Sequence, residues 1–309
     1  MNASRHDASA TGTVGGEESA VRHDGDVDRK QSPSKRPLPY DEAVRRVQDL
    51  IPFRKIMKPG RVVGDYWTVA AAVQRHLKPP AKILDFGAGQ CVKPAILSMM
   101  GYDCYACDDL NDPWHLKDDN RAKIERFAAD SGVHFARLDQ STPWPYRAEE
   151  FDMVMLHHVL EHLHDSPREL MIALMELVRP GGLLFVMVPN AGNLRKRIAL
   201  MLGKTNLPSY DYFYWQRGPW RGHVREYVRD DLAQLAKYLD LEIVELRGCH
   251  NLIGCRDKAT RVIWRIICAP NANWRDSWLL VARKPPRWSP MRELPAEDPL
   301  WASLERDVG

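Results

Sequence analysis

The densest chemistry in the chain lies in "AKILDFGAGQCVKPAILS", Ala81 to Ser98. An apolar run ends at Asp85, Gly87 and Gly89 follow one residue apart, and a helix-like pattern begins. Neither glycine carries a Cβ, so the backbone can turn sharply and lie close to a ligand. A helix starting there aims its unpaired N–H groups at that ligand. Asp108 comes about twenty residues later, at the end of the next apolar run, where a carboxylate accepts hydrogen bonds from ribose hydroxyls. Several nucleotide cofactors are held by turns of this kind. Two details count against a nicotinamide dinucleotide. The third glycine of G-x-G-x-x-G would fall at position 92, which is Val92. Asp85 also stands immediately before the turn, where a pyrophosphate needs no carboxylate but a cationic ligand would be attracted to one.

A second group of reactive residues comes later. His157, His158, His162, His164 and His223 offer bases that titrate near neutral pH. On a strand, His157 and His158 face opposite sides, so one of them at most looks into a pocket. Tyr210, Tyr212, Phe213, Tyr214, Trp215 and Trp220, with Arg217 and Arg221, can stack on a ring or sugar and hold anionic groups. The helix pattern Leu194–Lys204 carries Arg195, Lys196 and Arg197. It is a solvated face or a contact with a membrane surface or anionic substrate.

The elements that must position these residues alternate. Helix patterns at "DEAVRRVQDLI" and "GDYWTVAAAVQRHL" come first, with Asp41 as a cap for the former and "KPP" ending the latter. Strand Ile83–Phe86, helix Val92–Met100, strand Asp103–Cys107, helix Asn120–Ser131 and strand Val133–Leu138 come next. Then come the strand "FDMVMLHH", the helix "SPRELMIALMELV" capped by Ser166 and ended by "RPGG", and the strand "LLFVMVP". Such alternation, with nearly unbroken apolar strands, predicts a doubly wound, mostly parallel α/β sheet with helices on both faces. Past Pro189 the pattern gives an aromatic loop, the helix "REYVRDDLAQLAKYLDL", the strand "LEIVELRG", the ambiguous "RVIWRIICAP" and a last strand, "DSWLLVARKP". The expected organisation is a disordered tail over 1–38, a main domain over 39–284 with a lid after strand five at 191–275, and an irregular tail over 285–309 pinned by Trp288 and Trp301.

Composition bounds the rest. The chain has 309 residues, and a formal net charge of +3 gives no general argument for nucleic acid. No apolar run approaches the roughly 18 residues of a spanning helix, and no secretory signal is evident, so a cytoplasmic enzyme is expected. The six cysteines then read as reduced thiols. Cys104 and Cys107 form a CxxC on a strand. Residues three apart there face opposite sides, which suits two core side chains and not a metal grip.

Several segments, in order, resemble class I S-adenosylmethionine-dependent methyltransferases. "ILDFGAGQ", "YACDDL", "LDQSTPWPYRAEEFDMVMLHHVLEHL" and "LVRPGGLLFVMVPN" are similar to the family's successive motifs from about Ile83 to Asn190. "GHVREYVRDDLAQLAKYLDLEIVEL" resembles the region beyond those motifs in the family's small-molecule branch. The resemblance implies a Rossmann-like fold and S-adenosyl-L-methionine as cofactor. Asp85, Gly87 and Gly89 would line its methionine part, with Asp85 on the ammonium. Asp108 would hold the ribose, Asp139 and Gln140 would meet the adenine, and His157 and His158 would sit near the sulfonium. His158 and His223 are the expected catalytic residues, with Glu161 and His162 otherwise read as caps of the next element. His158, Glu161, His162 and His223 also have the spacing of a divalent metal site in some methyltransferases acting on vicinal diols, where the first residue is usually glutamate. The metal question stays open. The expected acceptor is an oxygen on a small molecule, a glycan or glycolipid precursor ahead of a quinone or polyketide. No Asn-Pro-Pro-Tyr stands at strand four, which counts against amino-group methylation of nucleobases or glutamine. The alternatives are a nicotinamide-dependent oxidoreductase, a nucleic-acid-binding protein and a cofactor-binding pseudo-enzyme. Nothing in the residues fixes the oligomeric state.

Overall fold

A computed structural model describes residues 36–53, 65–139, 144–250 and 258–294. Gln140, Trp301 and the expected tail before residue 36 lie outside the described residues. Leu38, within that expected tail, donates its backbone N–H to Met99 O at 3.0 Å. Seven strands form one sheet: β1 (Lys82–Phe86), β2 (Asp103–Asp108), β3 (His134–Arg137), β4 (Phe151–His157), β5 (Val178–Pro189), β6 (Glu242–Cys249) and β7 (Ser277–Arg283). Their order is β3-β2-β1-β4-β5-β7-β6. The first five are parallel, and β7 runs antiparallel to both β5 and β6. This is the expected doubly wound, mostly parallel fold. From β1 the chain winds outward through β2 and β3, then returns to the other side of β1 as β4. That reversal opens a crevice at the carboxyl ends of β1 and β4, where open α/β sheets hold ligands. Asp85 pairs with Met155 and Phe86 with Leu156, so the glycine turn and the histidine pair emerge side by side.

The described helices are α1 (Tyr40–Leu50), α2 (Asp65–His76), α3 (Val92–Met99), α4 (Asn120–Asp130), α5 (Arg168–Leu177), α6 (Leu194–Met201), α7 (Tyr210–Tyr214), α8 (Arg229–Tyr238) and α9 (Lys258–Cys268). Alternate strand residues serve two cores. Ile83, Met153, Met155 and Phe185 pack with α1 to α4, while Leu84, Val154, Leu156 and Val186 pack with α5 and α8. Each fully buried side chain of this size contributes about 1.5–3 kcal/mol. Cys104 belongs to the first core and Cys107 to the second, so the CxxC straddles the sheet as its spacing predicts.

Several local expectations differ from the structure or are decided by it: Asp41 lies inside α1, whose N-cap is Pro39, and the N-cap of α5 is Pro167 and not Ser166. The "RPGG" segment is the beginning of β5 and not a turn before it, because Phe151 already pairs with Val178 and Gly181 N–H reaches Lys284 O. Part of the aromatic loop is helical, because Ser209 Oγ caps α7 by accepting from Tyr212 N. "RVIWRIICAP" resolves as helix. Glu161 and His162 cap nothing; they lie in a single 3₁₀ turn, Leu160–His162, with Glu161 buried. In the C-terminal segment Trp288 donates Nε1–H to Leu239 O at 2.6 Å, and the buried Lys284 ammonium lies over its ring.

Candidate active site

The cofactor side of the crevice is built mainly from backbone. Gly87 N–H and Ala88 N–H both donate to Cys107 O, fastening the turn after β1 to the end of β2. Gly87 has φ +71°, and a Cβ there would meet Val159 Cγ2 at 2.6 Å, so the position demands glycine twice over. Around Gly89 nothing lies within 4 Å of where a Cβ would be, which leaves open space above the turn. Asp108 closes the opposite wall. Its two oxygens accept from Gly89 N at 2.8 Å and Leu110 N at 2.7 Å, and each keeps a free lone-pair direction. Burial raises its pKa, against those two hydrogen bonds.

Asp85 lies beneath the turn, 1% exposed, with neither carboxylate oxygen bonded among the described residues. Burial pushes its pKa to about 7; Lys93 acts against the shift and Asp108 adds to it. A buried carboxylate without a partner is costly, and the raised pKa is the expression of that cost.

A cavity of about 420 Å³ opens between these walls, lined among others by Gly87, Gly89, Asp108, Leu138, His158 and His162. His158 is at the cavity and His157 is not. His157 ends β4 and is buried, whereas His158 leaves the strand with φ +57°. The His157 and His158 rings meet edge to face, 4.3 Å between centres. Asp139 is exposed, one residue past Leu138 of the cavity wall.

The acceptor side is built from side chains far apart in sequence. His158 Nδ1 lies 2.8 Å from Glu161 Oε1, His162 Nδ1 lies 2.9 Å from Arg221 O, and His223 Nδ1 lies 2.8 Å from Glu226 Oε1. Each partner is an oxygen that only accepts, so each of these Nδ1 atoms carries a proton. Lys196 Nζ bonds the second oxygen of Glu226. Burial lowers the pKa of His223; Glu161 opposes this, while His162, Lys196 and His158 add to it. Burial raises the pKa of Glu161, but the His158 hydrogen bond and charge outweigh it, so the net shift is downward and Glu161 stays a carboxylate. Its Oε2 is buried with no partner among the described residues. Glu161, His162 and His223 bring one donor atom each within 4.8 Å of one another. His158 stands outside that trio, holding Glu161 from behind.

A strap over residues 220–227 completes the cavity, and sequence spacing does not reveal it. Arg221 reaches across to Asp112 at 2.7 Å and Asp109 at 3.0 Å, on the loop after β2. Trp220 O accepts from His164 Nε2, and Val224 N donates to Glu161 O. Tyr227 pairs with Asn190 at the end of β5. Both Arg221 and Trp220 line the cavity, as do Asp109, Asp112 and His115. Arg221, expected to hold anionic groups of a ligand, is instead paired with Asp109 and Asp112.

A family model described as a methyltransferase domain matches residues 66–246, more than half of the chain, and the chain belongs to that family. It is a class I methyltransferase, and S-adenosyl-L-methionine is its cofactor. The dinucleotide alternative falls with that assignment. A search of curated proteins finds no match. Three solved structures are similar. A Burkholderia thailandensis 1,6-didemethyltoxoflavin-N1-methyltransferase with bound S-adenosylhomocysteine is 19% identical, covering 84% of this chain and 97% of its own, at a TM-score of 0.46. A SAM-dependent methyltransferase from Aquifex aeolicus is 12% identical over 78% of this chain and 97% of its own, at 0.45. A Haloferax volcanii methyltransferase complexed with the Trm112 activator is 14% identical over 80% and 96%, at 0.48.

Proposed function

We propose that the enzyme methylates an oxygen of a small-molecule acceptor, a glycan or glycolipid precursor, with His223 as general base. The observation that carries this reading is the His223 imidazole. Burial favours its neutral form, its Nδ1–H is fixed on the Glu226 carboxylate, and its ring lies 5.0 Å from that of His162, which lines the cavity. When bound, the cofactor supplies a methyl group on a sulfonium leaving group. Asp85 would take the ammonium of its methionine part, the Gly87–Gly89 turn would hold that part, and Asp108 would accept from the ribose hydroxyls. Asp139, with Gln140, would meet the adenine. His223 Nε2 takes the acceptor hydroxyl proton, and Glu226 stabilises the imidazolium that results. His158 faces the cavity and holds Glu161. The aromatic segment and Arg217 suit stacking and anion contacts with a sugar-like acceptor. The test is an acceptor screen with radiolabelled cofactor on wild type and His223→Gln. Activity on hydroxyl acceptors that disappears in the variant supports the base; full activity in the variant removes it.

A second reading of the same group is favoured by the buried, unpartnered Glu161 Oε2. Glu161, His162 and His223 form a two-histidine, one-carboxylate donor set, and each histidine's Nδ1–H is anchored as in orienting partners of metal ligands. Two imidazoles suit Zn²⁺ or a similar transition ion better than Mg²⁺. Equilibrium dialysis against Zn²⁺ separates the readings. Stoichiometric uptake lost in His162→Ala supports a metal, and no uptake leaves His223 as the base.

A further inference from the structure

The three helices that bury least carry an unusual surface. Neither α6 nor α7 has a buried residue, and α9 buries only Cys268 among its described side chains. Helices of this length are not stable in water by propensity alone and usually turn their apolar side inward. Here it faces out. Leu200, Met201, Leu202, Leu207, Tyr210 and Trp215 are all more than half exposed, Met201 at 86%. On α9, Val262, Ile263, Ile266 and Ile267 form one exposed stripe at helical spacing. Of the twenty large apolar side chains exposed in the described protein, fourteen fall in 198–215 and 262–267. The two regions are joined: α6 packs on the turn Ala272–Trp274 just beyond α9, and Arg195 of α6 bonds Asp276 a little further on.

The charge of this surface selects its partner. Residues 194–217 hold Arg195, Lys196, Arg197, Lys204 and Arg217 against one acid, Asp211, and α9 holds no acid at all. Arg197, Lys204, Arg217 and Arg265 have no carboxylate partner among the described residues, unlike Arg221, Arg195 and Lys196. Apolar side chains flanked by unneutralised cations, with tyrosines and a tryptophan between them, match the boundary of an anionic bilayer, where acyl chains, headgroups and water meet. The face also reaches the active site, since Tyr212 and Phe213 of α7 pack on Trp220 of the cavity wall at 5.6 and 5.1 Å between ring centres.

We infer that α6, α7 and α9 dock the enzyme on an anionic lipid surface, so that its acceptor is an amphiphile presented from the bilayer beside Trp220. Docking does not depend on the proposed base or on O-methylation, and the amphiphilic acceptor narrows the small-molecule class proposed above. The test is co-sedimentation of the full chain with vesicles of phosphatidylcholine alone and with about 30% phosphatidylglycerol added. The expected result is binding to the anionic vesicles only, reduced by salt and lowered at least about tenfold in Ile263→Asp/Ile266→Asp. Those side chains are exposed, and unchanged S-adenosylhomocysteine binding in the variant shows that its fold is intact. Failure to bind anionic vesicles overturns the inference. So does a concentration-dependent dimer that the same substitutions abolish, because the face would then be covered by a second copy. Failure of the His223 test leaves this result untouched.

Discussion

The two sides of the crevice are made differently. The cofactor side rests on strand ends and backbone amides within residues 85–110, spanned by two adjacent parallel strands. The acceptor side gathers a 3₁₀ turn, a strap some sixty residues later and a helix that buries nothing. The first has little freedom to change, since Gly87 is boxed in by Val159 and by its own φ. The second is held by exposed and half-buried polar contacts that a different acceptor could reshape at small cost.

Breaking the acceptor side at its base carries the largest expected effect. His223→Ala lowers kcat by about 10²- to 10⁴-fold while S-adenosylhomocysteine affinity stays within about twofold. Single-turnover kinetics beside calorimetry reads both. A matched loss of cofactor affinity would show that the two sides are one unit. On the cofactor side, Asp108→Ala removes the acceptor for Gly89 N–H and Leu110 N–H together with the proposed ribose contact. Affinity should fall about 30- to 100-fold with little change in kcat at saturation. The smallest effect belongs to the strap. Arg221→Ala breaks partly exposed ion pairs to Asp109 and Asp112, each worth about 0.2–1 kcal/mol, so the acceptor KM should rise several-fold and thermal stability fall slightly.

The pH dependence sharpens the contrast. His223 has its pKa lowered by burial, so it is neutral, and competent as a base, below the pH at which a free histidine would be. The acidic limb of kcat should therefore lie under that of an ordinary imidazole and should vanish in His223→Gln.

Most of the cofactor side was legible in the sequence because its signals are local. A glycine turn, an acid at the next strand's end and apolar runs of strand length need no knowledge of distant contacts. Cys104 and Cys107 separated correctly on period-two alternation alone. Period-two alternation likewise let one histidine of the pair at most face the pocket, and His158 is the one that lines the cavity. The strap was invisible for a different reason. Arg221 meets Asp109 and Asp112 over more than a hundred residues, and no spacing rule connects them. Hydrophobic period could not decide α9 either, since its apolar stripe faces water and not a core.

Asp85 supplies the most direct test of the account. Its folded pKa, raised to about 7, means that ionisation is disfavoured in the free protein, which therefore loses stability as pH rises from the ordinary carboxylate range toward 7. A cofactor ammonium favours the carboxylate, so binding pulls the pKa back down and expels the proton. Calorimetric titration with S-adenosylhomocysteine, in two buffers of different ionisation enthalpy, should show about half a proton released at pH 7. Affinity should rise several-fold between about pH 6 and about pH 7.5, and both effects should be absent in Asp85→Asn. Binding with no proton release and a flat pH profile, or identical behaviour in the variant, would contradict the assignment of Asp85 to the cofactor's ammonium.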